Sequence, residues 1–589
     1  MGGDGVQVDF LGTNNTLVRV RQEGKYLILP VQEANDDARI DVLVDGKLDR
    51  TLNVRLAKSK VDYTVPFDIE QYKGHDVLLN IVTSQSRSTV REAKNDACWS
   101  AMAVTDTFDT SNREKYRPAY HHTPLYGWMN DPNGMFYKDG LWHLYYQWNP
   151  YGSKWQNLSW GHSTSANLVD WEHHPVAIEP NGLGLVFSGS SAVDVSGSAG
   201  FGKDAVVALY TSAGVSQIQS LAVSTDNGFT FDIYPGNPVL TLESEARDPN
   251  MFWNPDTCEW ILILAHALDH EMLIFTSPDM KTWTLQSSFG KGLGAQDGVW
   301  ECPDLFELPV AGTSEKKWVL LCNINPGGPF GGSATQYFIG DFDGKTFKAD
   351  TDEAGNVPLK WLDYGKDHYA TVSFSDAPEG RRTVLGWMSN WQYAAEVPTM
   401  QFRSANTLPR EIGLFRDKDG GIYASVTPSP ELATLRESIA TKVGKTSVGA
   451  KGRSFRLPEL AEICFDINPM KAEAVDIELS NTCGDKVVMT YTPETSELTF
   501  DRTQSGVVDF SNDFPAVTVA PTHSSGRTLG LRIFVDRSSV EVFGEDGRFA
   551  MTNLVFPHEP YNTMTIRPRN GKASVSNLKI YSLKPSQSL

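Results

Sequence analysis

One turn recurs along this chain and constrains its fold more than any other feature. Ser165-Ala-Asn-Leu-Val-Asp170-Trp171, Ser224-Thr-Asp226-Asn-Gly-Phe-Thr-Phe231 and Ser277-Pro-Asp279-Met-Lys-Thr-Trp283 each place an aromatic some six residues after a serine, across an Asp-containing turn. Asp341-Phe-Asp343-Gly-Lys-Thr-Phe347 is a degenerate fourth copy. The copies stand about 50 to 65 residues apart, the scale of one four-stranded propeller blade. Dividing about 310 residues by that spacing predicts roughly five blades, which we place over residues 115–425. A propeller draws its central funnel from different blades, so residues remote in sequence meet on one axis.

The flanks alternate in the period of two that marks half-buried strands. Over residues 1–106, Thr16-Leu17-Val18-Arg19-Val20 and Ile40-Asp41-Val42-Leu43-Val44 show the pattern, and Asp45-Gly46 supplies a hairpin turn. This predicts a small N-terminal β-sandwich-like domain with a packing or positioning role, joined by the polar stretch 106–117. Pro428-Ser429-Pro430 and the helix formers to Glu437 predict a short helical connector inside a linker over 426–444. Alternation resumes over 445–589, as in Ala474-Val475-Asp476-Ile477-Glu478-Leu479, and predicts a C-terminal β-sandwich. The expected class is all-β: a five-bladed β-propeller followed by a β-sandwich, behind an extra N-terminal β domain.

Charge narrows the partners. Seventy-two acidic against 52 basic residues leave a net charge of −20, which repels nucleic acid and anionic membranes and favours a neutral partner. The six cysteines are scattered without C-x-x-C or Cys/His ligand spacing, and His121-His122 and His173-His174 lack ligand partners, so no metal site is expected. Cys464 and Cys483 are the one pair to test as a disulfide. No cofactor motif is expected either: the Gly-rich stretch 325–332 lacks a following G-K-[ST] and reads as a loop at the funnel edge. No apolar run reaches the ~20 residues of a membrane span. Asn14-Asn15-Thr16 and Asn157-Leu158-Ser159 are glycosylation sequons.

Three acidic clusters carry the chemistry. In Trp128-Met129-Asn130-Asp131-Pro132-Asn133-Gly134, the proline pushes Asp131 toward an extended backbone and Gly134 permits a turn. In Arg247-Asp248-Pro249-Asn250, the arginine is expected to keep Asp248 ionised. In Trp300-Glu301-Cys302-Pro303-Asp304, an indole and a thiol are expected to keep Glu301 protonated. One charged and one neutral carboxylate are what glycosidic cleavage requires.

These clusters occur in order with Tyr146-Gln147-Trp148-Asn149-Pro150, Phe187-Ser188-Gly189-Ser190 and Phe534-Val535-Asp536-Arg537-Ser538-Ser539-Val540-Glu541. Over about residues 115–589 the set resembles glycoside hydrolase family 32, the invertases, inulinases and levanases. The resemblance implies Asp131 as nucleophile, Asp248 as transition-state stabiliser and Glu301 as general acid/base. It also implies a fructose subsite lined by Asn130, Gln147, Trp155, Phe187, Ser188 and Arg247, with Trp387 as a further wall. The activity implied is retaining hydrolysis that releases terminal fructose from levan- or inulin-type fructans or from sucrose. Alternatives are a fructosyltransferase, an endo-acting fructanase, or a non-catalytic sugar-binding propeller. A secreted, periplasmic or cell-surface protein is implied, although Met1-Gly2-Gly3-Asp4-Gly5 is no export signal. Asn250 and His368 depart from the family pattern; we read His368 as a loop cap, not a sugar contact.

Overall fold

The computed structural model describes residues 3–21, 23–84, 92–523 and 526–587. At the front, a five-stranded and a three-stranded sheet close on a core that includes Val18, Leu27, Ile40, Val65, Leu79 and Trp99. Alternation works as expected here: in Ala38–Val44 the buried positions fall on every second residue. Asp45 (φ 49°) and Gly46 (φ 78°) close the hairpin to Lys47–Val54, both in the left-handed region that a two-residue turn of this twist demands.

Five sheets follow, each built on a four-stranded antiparallel meander, the first joined in parallel by the short strand Phe402–Arg403. Their first strands are Gly127–Lys138, Leu185–Asp194, Ala246–Asn254, Val299–Pro309 and Tyr369–Ser373. Second and third strands are sandwiched between neighbouring blades, which is why Glu259–His266 reads as a nearly continuous apolar run instead of alternating. The recurring turn joins the third strand to the fourth in the first four blades. Its working residue is an acceptor two positions after the serine: Asp226 and Asp279 each accept backbone N–H groups three and four, or two and three, residues on. In the first blade that acceptor is Asn167, not the Asp170 of the sequence reading. The fifth blade turns instead through Asp417-Lys418-Asp419-Gly420, which explains its missing copy.

Every first strand carries the same irregularity. Between the pairs Met129↔Trp148 and Pro132↔Tyr146 the inner strand spends three steps against its partner's two. The same bulge recurs between Val186 and Gly189, Arg247 and Asn250, Glu301 and Asp304, and Tyr369 and Val372. A bulge frees one residue from the ladder and re-aims its side chain. Five of them form a ring around the axis.

The turn expected at Asn130 to Gly134 is therefore part of a strand. Gly134 (φ 54°) is needed there because a Cβ would come 2.6 Å from the Trp160 ring.

The C-terminal body packs two six-stranded sheets face to face. The connector differs from expectation: it is a 3-10 turn over Pro430–Leu435. Within the expected linker 426–444, the chain from Arg436 on already forms the strand Arg436–Val448, paired with Ala573–Leu583. Burial of Leu432 and Leu435 pins the turn, so sandwich pairing starts at once. Cys464 and Cys483 form no disulfide with each other.

Propeller and sandwich are joined by buried charges. His121 bridges Asp536 (Nδ1 to Oδ2, 2.7 Å) and Glu541 (Nε2 to Oε1, 2.6 Å), while Arg410 donates to Glu541 (2.6 Å) and Asp363 (2.8 Å).

Candidate active site

The bulges deliver three carboxylates to one end of the propeller axis, and they fall into register. Arg247, Glu301 and Tyr369 occupy one bulge position in the third, fourth and fifth blades; Asp248, Cys302 and Ala370 occupy the next. Asp248 (φ 63°), Cys302 (φ 45°) and Ala370 (φ 54°) all adopt the left-handed backbone, strain that the flanking pairs impose. Asp131 and Ser188 share a position in the first two blades.

Adjacent blades then contact through equivalent residues. Arg247 Nε donates to Glu301 Oε1 at 2.9 Å, and the Tyr369 hydroxyl donates to Glu301 Oε2. Ser188 Oγ donates to Asp131 Oδ2 (2.7 Å), and Asn130 Nδ2 to Asp131 Oδ1 (3.1 Å). Asn130 is itself held by the Trp128 indole N–H (2.8 Å). The backbone N–H of Cys302 donates to Asp248 Oδ2 (3.0 Å), and its Sγ lies 3.3 Å from Asp131 Oδ2 and 3.5 Å from Asp248 Oδ2.

The expectation that Arg247 keeps Asp248 ionised is overturned, and Glu301 lacks the indole neighbour expected of it. The Arg247 side chain reaches Glu301 rather than its sequence neighbour Asp248. Burial, then the Glu301 charge, push Asp248 up to about 7, although Arg247 pulls the other way. Burial and the Glu301 charge also raise Asp131. The Trp300 indole does not surround Glu301: it turns into the core between blades and donates to Ala295 O. Trp300 faces away from Glu301 on its strand, and the bulge aims Arg247 across to the next blade, so sequence adjacency gave the wrong partners.

Above these groups lies a cavity of about 330 Å³. Of the residues expected to line it, Asn130, Asp131, Gln147, Trp155, Phe187, Ser188, Arg247, Asp248 and Glu301 all do. Trp387 does not. It is fully buried behind Trp128 and Trp391, and Trp391 presents the wall in its place. Sequence reading missed Trp391, Tyr369, Gln217 and Glu245, whereas Asn325 opens the Gly-rich stretch expected at the funnel edge. Aligning the bulges would have found Tyr369 beside Arg247 and Glu301; the long loop that carries Trp391 offers no such signal. His368 is buried, its ring bonded to Thr335 (3.2 Å) and Thr371 (2.9 Å), so it braces the fifth bulge from behind. Asn157, the second sequon, spends its amide on Asn53 and Asn149.

Asp131, Asp248 and Cys302 are also the group of possible metal ligands among the described residues, their donor atoms within 4.8 Å of one another. Burial and the charge of Asp131 push the Cys302 thiol well up. It therefore keeps its proton and serves these carboxylates as a donor.

Comparison with known proteins bears on this arrangement. The model of the glycosyl hydrolases family 32 N-terminal domain matches residues 121–425, that of the family 32 C-terminal domain matches 431–582, and a domain of unknown function, DUF4980, matches 12–120. A levanase of Bacillus subtilis is 42% identical over 491 residues, 80% of this chain and 71% of the levanase. An extracellular exo-inulinase of Aspergillus niger is 37% identical over 489 residues, 75% and 90% of the two chains. The crystal structure of an exo-inulinase from Aspergillus awamori superposes with a TM-score of 0.75 at 34% identity, covering 81% of this chain and 100% of that one.

Proposed function

The chain belongs to glycoside hydrolase family 32, and from that premise we propose that it is a retaining β-fructosidase releasing terminal fructose from fructans or sucrose. The observation that carries this reading is the convergence of Asp131, Asp248 and Glu301 from three blades on one cavity. Asp131 attacks the anomeric carbon of the fructosyl unit while Glu301 gives its proton to the departing oxygen. Glu301 then takes a proton from water, which frees fructose with retained configuration. Arg247 and Tyr369 hold the Glu301 carboxyl at one point through both steps. Ser188, Asn130 and the Cys302 thiol aim Asp131. Asp248, held by the Cys302 N–H, orients fructose hydroxyls. Gln147, Trp155, Phe187 and Trp391 complete the seat.

Asp131 and Asp248 are both raised by burial and by the Glu301 charge, so ionising the two together is costly. The reactive form has Glu301 protonated and Asp131 ionised. Because burial and Glu301 raise Asp131, the acid limb of the pH–rate profile lies above the ordinary aspartate value of 3.8 and the profile is bell-shaped. Secretion suits relatives named as extracellular exo-inulinases.

Glu301→Gln and Asp131→Asn should each lower fructose release by at least about a thousandfold; near-parental rates in either would overturn the mechanism. Product profiles on sucrose, inulin and levan settle the substrate. Oligosaccharides outweighing free fructose at high sucrose would favour transfer.

A further inference from the structure

The loop between the second and third strands of the first blade, residues 150–158, carries Trp155 to the funnel mouth, where it stands 41% exposed with its ring 6.0 Å from Phe187. The residues on either side of Trp155 are gripped by the N-terminal domain. Tyr151 packs against that domain's core, its ring 5.9 Å from Phe67. Ser153, fully buried, donates from its hydroxyl to Glu33 Oε2 (2.8 Å) and from its backbone N–H to the Tyr63 hydroxyl oxygen (3.1 Å). The Asn157 amide pairs both ways with the backbone of Asn53, Nδ2 to O and N to Oδ1, each at 2.8 Å. Asn53 lies on Lys47–Val54, the edge strand of its sheet, so the loop completes that edge as a neighbouring strand would.

A second funnel segment is tied to the same point. Arg403, on the short strand Phe402–Arg403 in the fifth-blade connection that also carries Trp391, donates to Glu33 Oε1 (3.0 Å) and to Ser153 O (3.1 Å). Glu33 thus joins the loops that hold two walls of the cavity.

We propose that the N-terminal domain is a positioning device for the sugar seat: Glu33 and Asn53 fix the Trp155 loop through Ser153 and Asn157, and so set how tightly the funnel holds its sugar. This rests on the β-fructosidase reading above. It assigns a task to the segment that matches a domain of unknown function, and makes Glu33, Ser153 and Asn157 positioning residues. A loop braced on a folded domain loses little freedom when sugar binds, whereas an unbraced loop must be ordered at that moment. Trp155 contacts the sugar before and during reaction alike, so loosening it weakens KM and spares kcat.

The test compares Asn157→Ala and Glu33→Gln with Glu179→Gln, which removes another contact of the same seam, Arg50 to Glu179 at 2.8 Å, away from the loop. On sucrose and on an inulin-type trisaccharide, Asn157→Ala and Glu33→Gln should raise KM by about fivefold with kcat within about twofold. Glu179→Gln should change neither. In a Trp155→Ala background Asn157→Ala should add nothing further, since the two act through one contact. Glu33→Gln keeps the test open if Asn157→Ala fails to fold. Equal effects of all three seam variants, or an undiminished Asn157→Ala effect without Trp155, would overturn the proposal. A parent that releases no fructose would instead sink the activity on which it rests.

Discussion

Asp248→Asn separates the electrostatic cost of the site from its packing. The carboxyl sits in a nearly closed environment, 6% exposed, and burial with the Glu301 charge lifts it from 3.8 to about 7. The folded chain therefore binds this proton more tightly than the unfolded chain, and ionising it costs folding free energy. That cost is absent below pH 3.8, grows between 3.8 and about 7, and is constant above. At 1.36 kcal/mol per pH unit the span amounts to at most about 4 kcal/mol. Asparagine keeps the shape and an acceptor for the Cys302 N–H but has no charge to bury. Urea unfolding of parent and variant, followed by tryptophan emission from pH 4 to 8, should show little difference at pH 4 and a widening advantage for the variant up to pH 7. Fructose release by the variant should stay below the parent's over the same range, as expected where a site trades stability for function. A difference independent of pH, or a variant that loses ground as pH rises, would refute the assignment of this cost to Asp248.

Two further tests address neighbouring parts of the molecule. Burial pulls the His121 imidazole down, but bonds to Asp536 and Glu541 prevail and raise it to about 9. Its contribution to stability is full below pH 6.5 and is lost as pH climbs through 9, a span of about 3 kcal/mol; His121→Gln should flatten that part of the stability profile, and an unchanged slope would exclude the histidine as its source. At the funnel, Trp391→Ala should raise KM with little loss of thermal stability. Trp387→Ala, which empties a fully buried position, should cost about 3 to 5 kcal/mol of stability, and the opposite pairing of effects would restore Trp387 as the wall.

Much of this protein was already written in its sequence. The recurring turn set the blade count because each copy must satisfy the same backbone donors at the same corner of the meander. Asp131, Asp248 and Glu301 were legible because their motifs occur together, in order with the other stretches that carry the resemblance to family 32. Periodicity marked the two flanking β bodies, since pleat and burial share a period of two.

What the chain alone did not disclose was which side chain faces which. Arg247 stands next to Asp248 in sequence yet bonds Glu301, and Trp300 adjoins Glu301 yet faces away. Those partnerships arise between blades, from five bulges in register, and no single blade's sequence holds them. The same holds for the choice of Trp391 over Trp387 and for the grip of Glu33 on the Trp155 loop. Local sequence encodes torsions, turns and burial period; the meeting of residues from separate blades and domains is decided only when the propeller closes and its neighbours dock.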